Sequence, residues 1–202
     1  MSSIDQHPER NVIRVQLAHN VGLKGITLAQ MAELEPLLQV VDCQKGEALL
    51  HQGVHEMEQY FILEGILKRM VSDREAKEMI LRFAEEGQME TSYAAWRLGT
   101  PAPYSIVCVT RARVAKLSLR DWVAFIERHA GVKQAFEYDV MHVMSEIMAH
   151  TITLHLLDAP GRVKRFLRKH PELEERLPKK ELASYLNLSA ETLSRLKSRG
   201  KI

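Results

Sequence analysis

At 202 residues with 46% apolar side chains, the chain can bury the core of one large or two small domains. The apolar runs 12–23 and 48–50 are short or are broken by Arg14, Gln16, His19 and Asn20, so neither a membrane span nor a secretory leader is expected and the cytoplasm is the expected location. The formal charge of +2 hides a division. Residues 1–161 carry 16 Lys+Arg against 21 Asp+Glu, whereas residues 162–202 carry 12 against 5, a local +7 that a phosphate backbone would attract. Cys43 and Cys108 lack a CxxC spacing, so they read as reduced core thiols and not as a disulfide framework, a zinc site or an iron-sulfur cluster.

Residues 27–38 (TLAQMAELEPLL) place Leu28, Met31, Leu34, Leu37 and Leu38 at helical spacing behind a Thr27 cap, which predicts a short amphipathic helix. From residue 40 to 119 the period shortens into apolar runs: VVDC, EALLHQ, EQYFILE, ILKRMVSD, KEMILRFAE, SIVCVT and RVAKLSL. Gly46, Gly53, Gly65, Gly87 and the stretch 99–103 punctuate them. Short strands between glycine turns predict an antiparallel sandwich or roll.

LRDWVAFIERHAG then reads as a short helix. Residues 132–157 follow without Gly or Pro and carry Phe136, Val140, Val143, Ile147, Thr151 and Leu154 at alternating steps of four and three. That spacing is a heptad seam, and it predicts a dimerisation helix, with packing on the chain's own sheet as the alternative. Asp158-Ala159-Pro160-Gly161 is expected to end it as a hinge, VKRFLRKH to form a helix and PELEERLP a connector. The fold class is thus α+β, divided as 1–130 (N-terminal helix and antiparallel β-roll sensor), 131–158 (dimerisation helix) and 159–202 (DNA-binding domain).

The C-terminal LPKKELASYLNLSAETLSRLKSRGKI carries the chemistry. Pro178 opens a helix with Leu182, Tyr185 and Leu186 on one face, and Ala183 is small where a second helix must approach. Asn187 tolerates a left-handed turn, and Ser189 caps a second helix whose Leu193 and Leu196 point inward. These parts together predict a helix-turn-helix. Ala190, Glu191, Thr192, Ser194 and Arg195 are then candidates for the groove side of the second helix. Arg195 can fork onto guanine and Glu191 can accept from a cytosine amine. Lys179, Lys180, Lys197, Arg199 and Lys201, with Ser189, suit phosphates, which fix register without reading sequence.

With these parts in this order, residues 28–198 resemble the CRP/FNR family of bacterial transcription regulators. KGEALLHQG, FILEG and KEMILRFAEEGQ look like its β-roll, a jelly roll like a cyclic nucleotide-binding domain. The long helix with DAPGRVKRFL resembles its dimer helix and hinge, and ELASYLNLSAETLSRLKS its helix-turn-helix. The ASYL and TLSR words resemble a short subgroup that lacks the usual winged hairpin, truncation being the other reading. The resemblance implies a homodimer on a two-fold duplex site, with RNA polymerase a further candidate partner. It also implies that Glu191 and Arg195 match base-contacting positions, while Ala190 replaces a third, usually arginine.

Members that bind cyclic AMP carry a Gly-Glu pair and an Arg-Ser pair. Thr91-Ser92 and Tyr104-Ser105 stand there in this chain, so a cyclic nucleotide is not expected, although Arg82 or Arg97 could substitute. The oxygen-sensing branch's N-terminal cysteines are absent too. Met89, Tyr93, Trp96 and Tyr104 are candidates either for an apolar effector pocket or for a core that has closed over one.

His51, His55 and Glu58 have the residue types of a cupin-like metal enzyme, but their spacing crosses a glycine turn and does not suit a strand pair. His142, Glu146 and His150 recur every four residues on the long helix and read as surface or seam positions. No nucleophile has a positioned base, so no enzyme, metal or cofactor is expected. A metal-dependent cupin-like enzyme and a constitutive interaction module are the alternatives to a DNA-binding regulator.

Overall fold

The computed structural model describes residues 2–75 and 78–199; Lys201, among the expected phosphate contacts, lies outside them. The chain opens with a two-residue strand, β1 (Ser2–Ser3), and a helix, α1 (Arg10–Ala18), which buries Ile13 and Leu17 four residues apart. A second helix, α2 (Leu28–Leu34), starts where the sequence places it. The Thr27 hydroxyl accepts from Gln30 N at 3.3 Å while the Gln30 side chain accepts from Thr27 N at 2.8 Å, a reciprocal cap. Pro36 ends it in a single 3-10 turn, Glu35–Leu37, short of the expected limit.

Eight further strands follow the glycine punctuation: β2 (Gln39–Cys43), β3 (Ala48–Leu50), β4 (Glu58–Glu64), β5 (Leu67–Ser72), β6 (Glu78–Ala84), β7 (Met89–Thr91), β8 (Ser105–Cys108) and β9 (Ala112–Ser118), with a short helix, α3 (Tyr93–Leu98), after β7. They form two antiparallel sheets, ordered β1-β2-β9-β4-β7 and β3-β8-β5-β6. Gly65 turns β4 into β5 at φ 88°, and a Cβ there would stand 2.3 Å from the Arg111 carbonyl oxygen, so only glycine fits.

Helix α4 (Leu119–Arg128) closes the roll with Trp122 at its centre. The indole meets Phe61 and Phe136 edge-on at 5.3 and 5.2 Å and stacks on Phe125 at 5.7 Å. Helix α5 (Ala130–Leu156) runs 27 residues, about 40 Å at the α-helical rise.

The residues of the expected seam lie mostly against the chain's own core. Phe136 is buried beneath Trp122 and Tyr93, and Val140 packs against the same core. Val143, Ile147 and Leu154 are half-buried on the chain's own side, and Thr151 alone of the six is exposed. The apolar residues that α5 leaves outside are Tyr138, Met141, Met144, Met148, Ile152 and Leu156, between 49% and 76% exposed. Eighteen residues in five steps is the α-helical period, so these side chains make a straight stripe about 27 Å long. Because α5 is apolar nearly all round, a step of three and four fits two neighbouring stripes equally well, and only the position of the sheet separates them.

The hinge is also shorter than expected. Leu157 and Asp158 separate α5 from α6 (Ala159–Lys169), and Pro160 and Gly161 lie in the first turn of α6, capped by Asp158 Oδ1 accepting from Gly161 N at 2.9 Å. After a 3-10 turn at Pro171–Leu173 come α7 (Lys179–Tyr185) and α8 (Ala190–Ser198). Ile66, Met70, Ile80 and Val109 of the roll share one apolar cluster with Val163, Phe166, Leu173, Leu182, Tyr185 and Leu193.

Candidate nucleic-acid interface and sensor pocket

The α7–α8 pair is built as its sequence dictates. Leu182, Ala183, Tyr185, Leu186 and Leu193 are buried and Leu196 packs against them. Asn187 turns the chain at φ 52°, a left-handed conformation that asparagine tolerates. Ser189 Oγ accepts from Thr192 N at 3.0 Å and pairs with the Thr192 hydroxyl at 2.9 Å. Thr192 is therefore half-buried and serves the cap, whereas Ala190, Glu191, Ser194 and Arg195 are all exposed on the outer side of α8.

Glu191, Arg195, Lys179, Lys180 and Arg199 have no ion-pair partner among the described residues. Lys197 does, donating to Glu174 Oε1 at 2.8 Å. Of the other acids of this region, Glu181 turns inward and accepts from Lys68 of the roll at 2.8 Å, whereas Glu172, 3.6 Å from His170, and Glu175 are exposed.

Where α5 meets α7, the His150 ring stacks on Tyr185 at 3.8 Å with 2° between the planes, and His150 Nε2 lies 3.0 Å from the Tyr185 carbonyl oxygen. Burial, aided by Lys169, Arg165 and His170, lowers its pKa from 6.5 to about 4, so the ring is neutral when folded. A depressed pKa contributes stability that is present above pH 6.5 and lost as the pH falls toward 4. His150→Phe keeps the ring and removes the proton site. Melting temperatures from pH 7 to 4 should fall less steeply for this variant than for the parent, and parallel curves would refute the assignment.

The residues expected to line an effector pocket come together only in part. Arg82, Met89, Thr91, Tyr93 and Tyr104 meet around a cavity of about 20 Å³, closed by Val140, Val143 and Met144 of α5. Ser92 is buried beside them. Three candidates lie elsewhere. Trp96 faces an open groove with His51, His55 and Tyr60, Arg97 is exposed and pairs with Glu127 at 3.6 Å, and Ser105 Oγ accepts from Gln52 N at 2.9 Å. Arg97 stays beside Tyr93, one helical turn away, with its guanidinium 5.9 Å from the centre of that ring.

Two residues that sequence reasoning missed dominate the pocket. Arg69 of β5 donates from Nε and Nη2 to Glu90 Oε2 of β7 at 3.0 and 2.6 Å, and from Nη2 to the Thr91 carbonyl oxygen at 3.2 Å. The Tyr104 ring covers the guanidinium at 4.2 Å, and its hydroxyl donates to Thr91 O at 2.7 Å. Burial opposes the Arg69 charge, but Glu90 and Tyr104 more than restore it, and burial raises the Tyr104 hydroxyl. The available signal was a charge in the middle of each apolar run, ILKRMV and QMETS. Among the described residues no three of His, Cys, Asp and Glu come together as a metal site would require.

Residues 40–129 match the cyclic nucleotide-binding domain model. Among curated proteins, the chain is 22% identical over 158 residues to the cAMP-activated global transcriptional regulator CRP of Salmonella typhimurium, covering 73% of this chain and 75% of that one. The CRP of Haemophilus influenzae is 20% identical over 158 residues, 73% of this chain and 70% of its own length. Among solved structures, the c-di-GMP responsive regulator CLP of Xanthomonas campestris superposes with TM-score 0.71 at 14% identity, over 86% of this chain and 92% of that one. A CooA variant from Carboxydothermus hydrogenoformans gives 0.70 at 15%, over 90% and 84%. The structural likenesses establish the fold, and the curated relatives are transcription regulators and not enzymes.

Proposed function

We propose, from the premise that this chain belongs to the CRP/FNR family of transcription regulators, that it is a homodimer reading a two-fold DNA site through α8. The observation that carries this reading is the exposed outer side of α8, where Glu191, Ser194 and Arg195 project from a helix held by buried Leu193. The N-terminal half of such a helix enters the major groove, and two of them about 34 Å apart would meet successive grooves. Lys179, Lys180 and Arg199 supply unpaired cations for phosphates, with RNA polymerase a further partner at the promoter. Lys197 must first leave Glu174.

The bare stripe on α5 supports the dimer. The seam we assign runs through Met141, Met144, Met148, Ile152 and Leu156, with Thr151 at its edge, and not through Val143 and Ile147. Among the described residues no helix is long and apolar enough to cross a membrane, which is compatible with a DNA-binding role.

A cyclic nucleotide does not fit the sensor pocket as it stands. Drug-sized ligands fill cavities of roughly 300–1,000 Å³, whereas this one has about 20 Å³. Of the two arginines that line it, Arg69 is already held by Glu90, and the space beside Arg82 is too small for a nucleotide. We therefore assign control to something other than cyclic AMP, or to no nucleotide at all.

The test is selection of bound duplexes from a random library by the full chain, followed by affinity for the enriched sequence across salt concentrations. An enriched palindrome with a steep salt slope supports the reading. Failure to enrich any sequence, with shallow salt dependence, would refute it. On the enriched site, Arg195→Ala should cost about 1–3 kcal/mol and relax one base position. An equal loss on every sequence would reassign Arg195 to phosphate.

A further inference from the structure

Two guanidinium groups, those of Arg69 and Arg82, line the pocket, and among the described residues both reach one buried carboxylate, that of Glu90. Arg69 takes Glu90 Oε2, and Arg82 reaches Glu90 Oε1 with Nε at 3.4 Å. The remaining Arg82 contacts are neutral: Nη2 donates to Gln88 Oε1 at 2.9 Å and Nε to the Phe83 carbonyl oxygen at 3.3 Å. Its Nη1 is buried and has no hydrogen-bond partner among the described residues, and neither does the buried Ser92 Oγ. The next carboxylate, Glu146, is neutralised by Lys169 at 2.7 Å. The cluster Arg69, Arg82 and Glu90 thus keeps one uncompensated positive charge behind the apolar wall of Met89, Val140, Val143 and Met144.

A guanidinium does not shed its proton in a protein, and an unpaired charge in such a place is costly. We propose that this pocket binds one halide-sized inorganic monoanion, held by Arg82 Nη1 and by the field of Arg69. Charge fixes the valence, because a single negative charge balances the cluster and a dianion overshoots it. Size fixes the class: a cavity of about 20 Å³ takes one species near the size of water, which leaves out nucleotides and phosphate esters. The site goes beyond the DNA-binding reading and does not depend on it.

The test uses the full chain at constant ionic strength, with chloride or bromide replacing gluconate. The melting temperature should rise and saturate with either halide, and Arg82→Gln should abolish the rise. A rise that never saturates, or one that is equal in Arg82→Gln, overturns the site. If Arg82→Gln does not fold, bromide-soaked crystals of the unaltered protein decide. Anomalous density within hydrogen-bonding reach of Arg82 Nη1 supports the proposal, and a water without anomalous signal there overturns it. DNA affinity measured in gluconate separates the two readings, since a missing halide response beside intact DNA binding removes the anion site alone.

Discussion

Placing carboxylates on the bare stripe of α5, with Met148→Glu and Ile152→Glu together, should leave the chain folded and monomeric and weaken binding to a two-fold duplex by about 10²–10⁴-fold. Both side chains are 65% and 49% exposed in the single chain, so the substitutions disturb no buried contact of their own protomer. The two glutamates stand four residues apart and cost the helix only a few tenths of a kcal/mol by repulsion. Across a two-fold axis they become four desolvated carboxylates without partners, which an apolar seam cannot hold. Loss of the second recognition helix then removes the gain from tethering, while each half-site contact survives. Sedimentation velocity and anisotropy on full and half sites measure both effects. A variant that stays dimeric and binds as tightly as its parent would place the seam elsewhere on the molecule.

The second large effect is expected in the pocket. Glu90→Leu removes the carboxylate that buried Arg69 and mostly buried Arg82 share and should destabilise the chain by about 3–5 kcal/mol, roughly 10 °C in melting temperature for a chain of this size. Arg69→Met combined with Glu90→Leu should recover part of that loss, because Arg82 alone remains uncompensated. Denaturant titration of the two variants, with equal slopes, gives the comparison. A cost below about 1 kcal/mol for Glu90→Leu would mean that water screens the pair and that the pocket is wetter than its apolar wall implies.

The helix-turn-helix was legible almost residue by residue, because a cap, a left-handed turn and inward leucines are local devices whose geometry depends on near neighbours. Asn187 and Ser189 behave as their side-chain chemistry requires. Strand positions were legible from glycine spacing, apart from the short β1 and β7, which have too few residues to show a period. The seam of α5 was not fixed in this way. Whether Val143 or Met144 faces outward depends on how a helix sits on sheets whose strands begin about 30 to 140 residues earlier in the chain, and no local pattern carries that. Arg69 and Glu90 were obscured for the same reason. Each reads as a solvent-facing charge in its own strand, and only the pairing of the two sheets brings them together.

Lys68 meets Glu181, Arg176 meets Glu85 and Glu86, and the Phe83 ring lies 5.1 Å from Tyr185. Roll and C-terminal helices therefore share wetted and oily contacts along one continuous seat. Such halves are poor interchange parts. Helices transplanted to another roll would bring Phe166 and Leu182 bare into water, and the roll left behind would show Ile66, Met70, Ile80 and Val109. Drift on one side of the seat has to be answered on the other, so hybrids between distant chains of this fold should fail at this junction before they fail elsewhere.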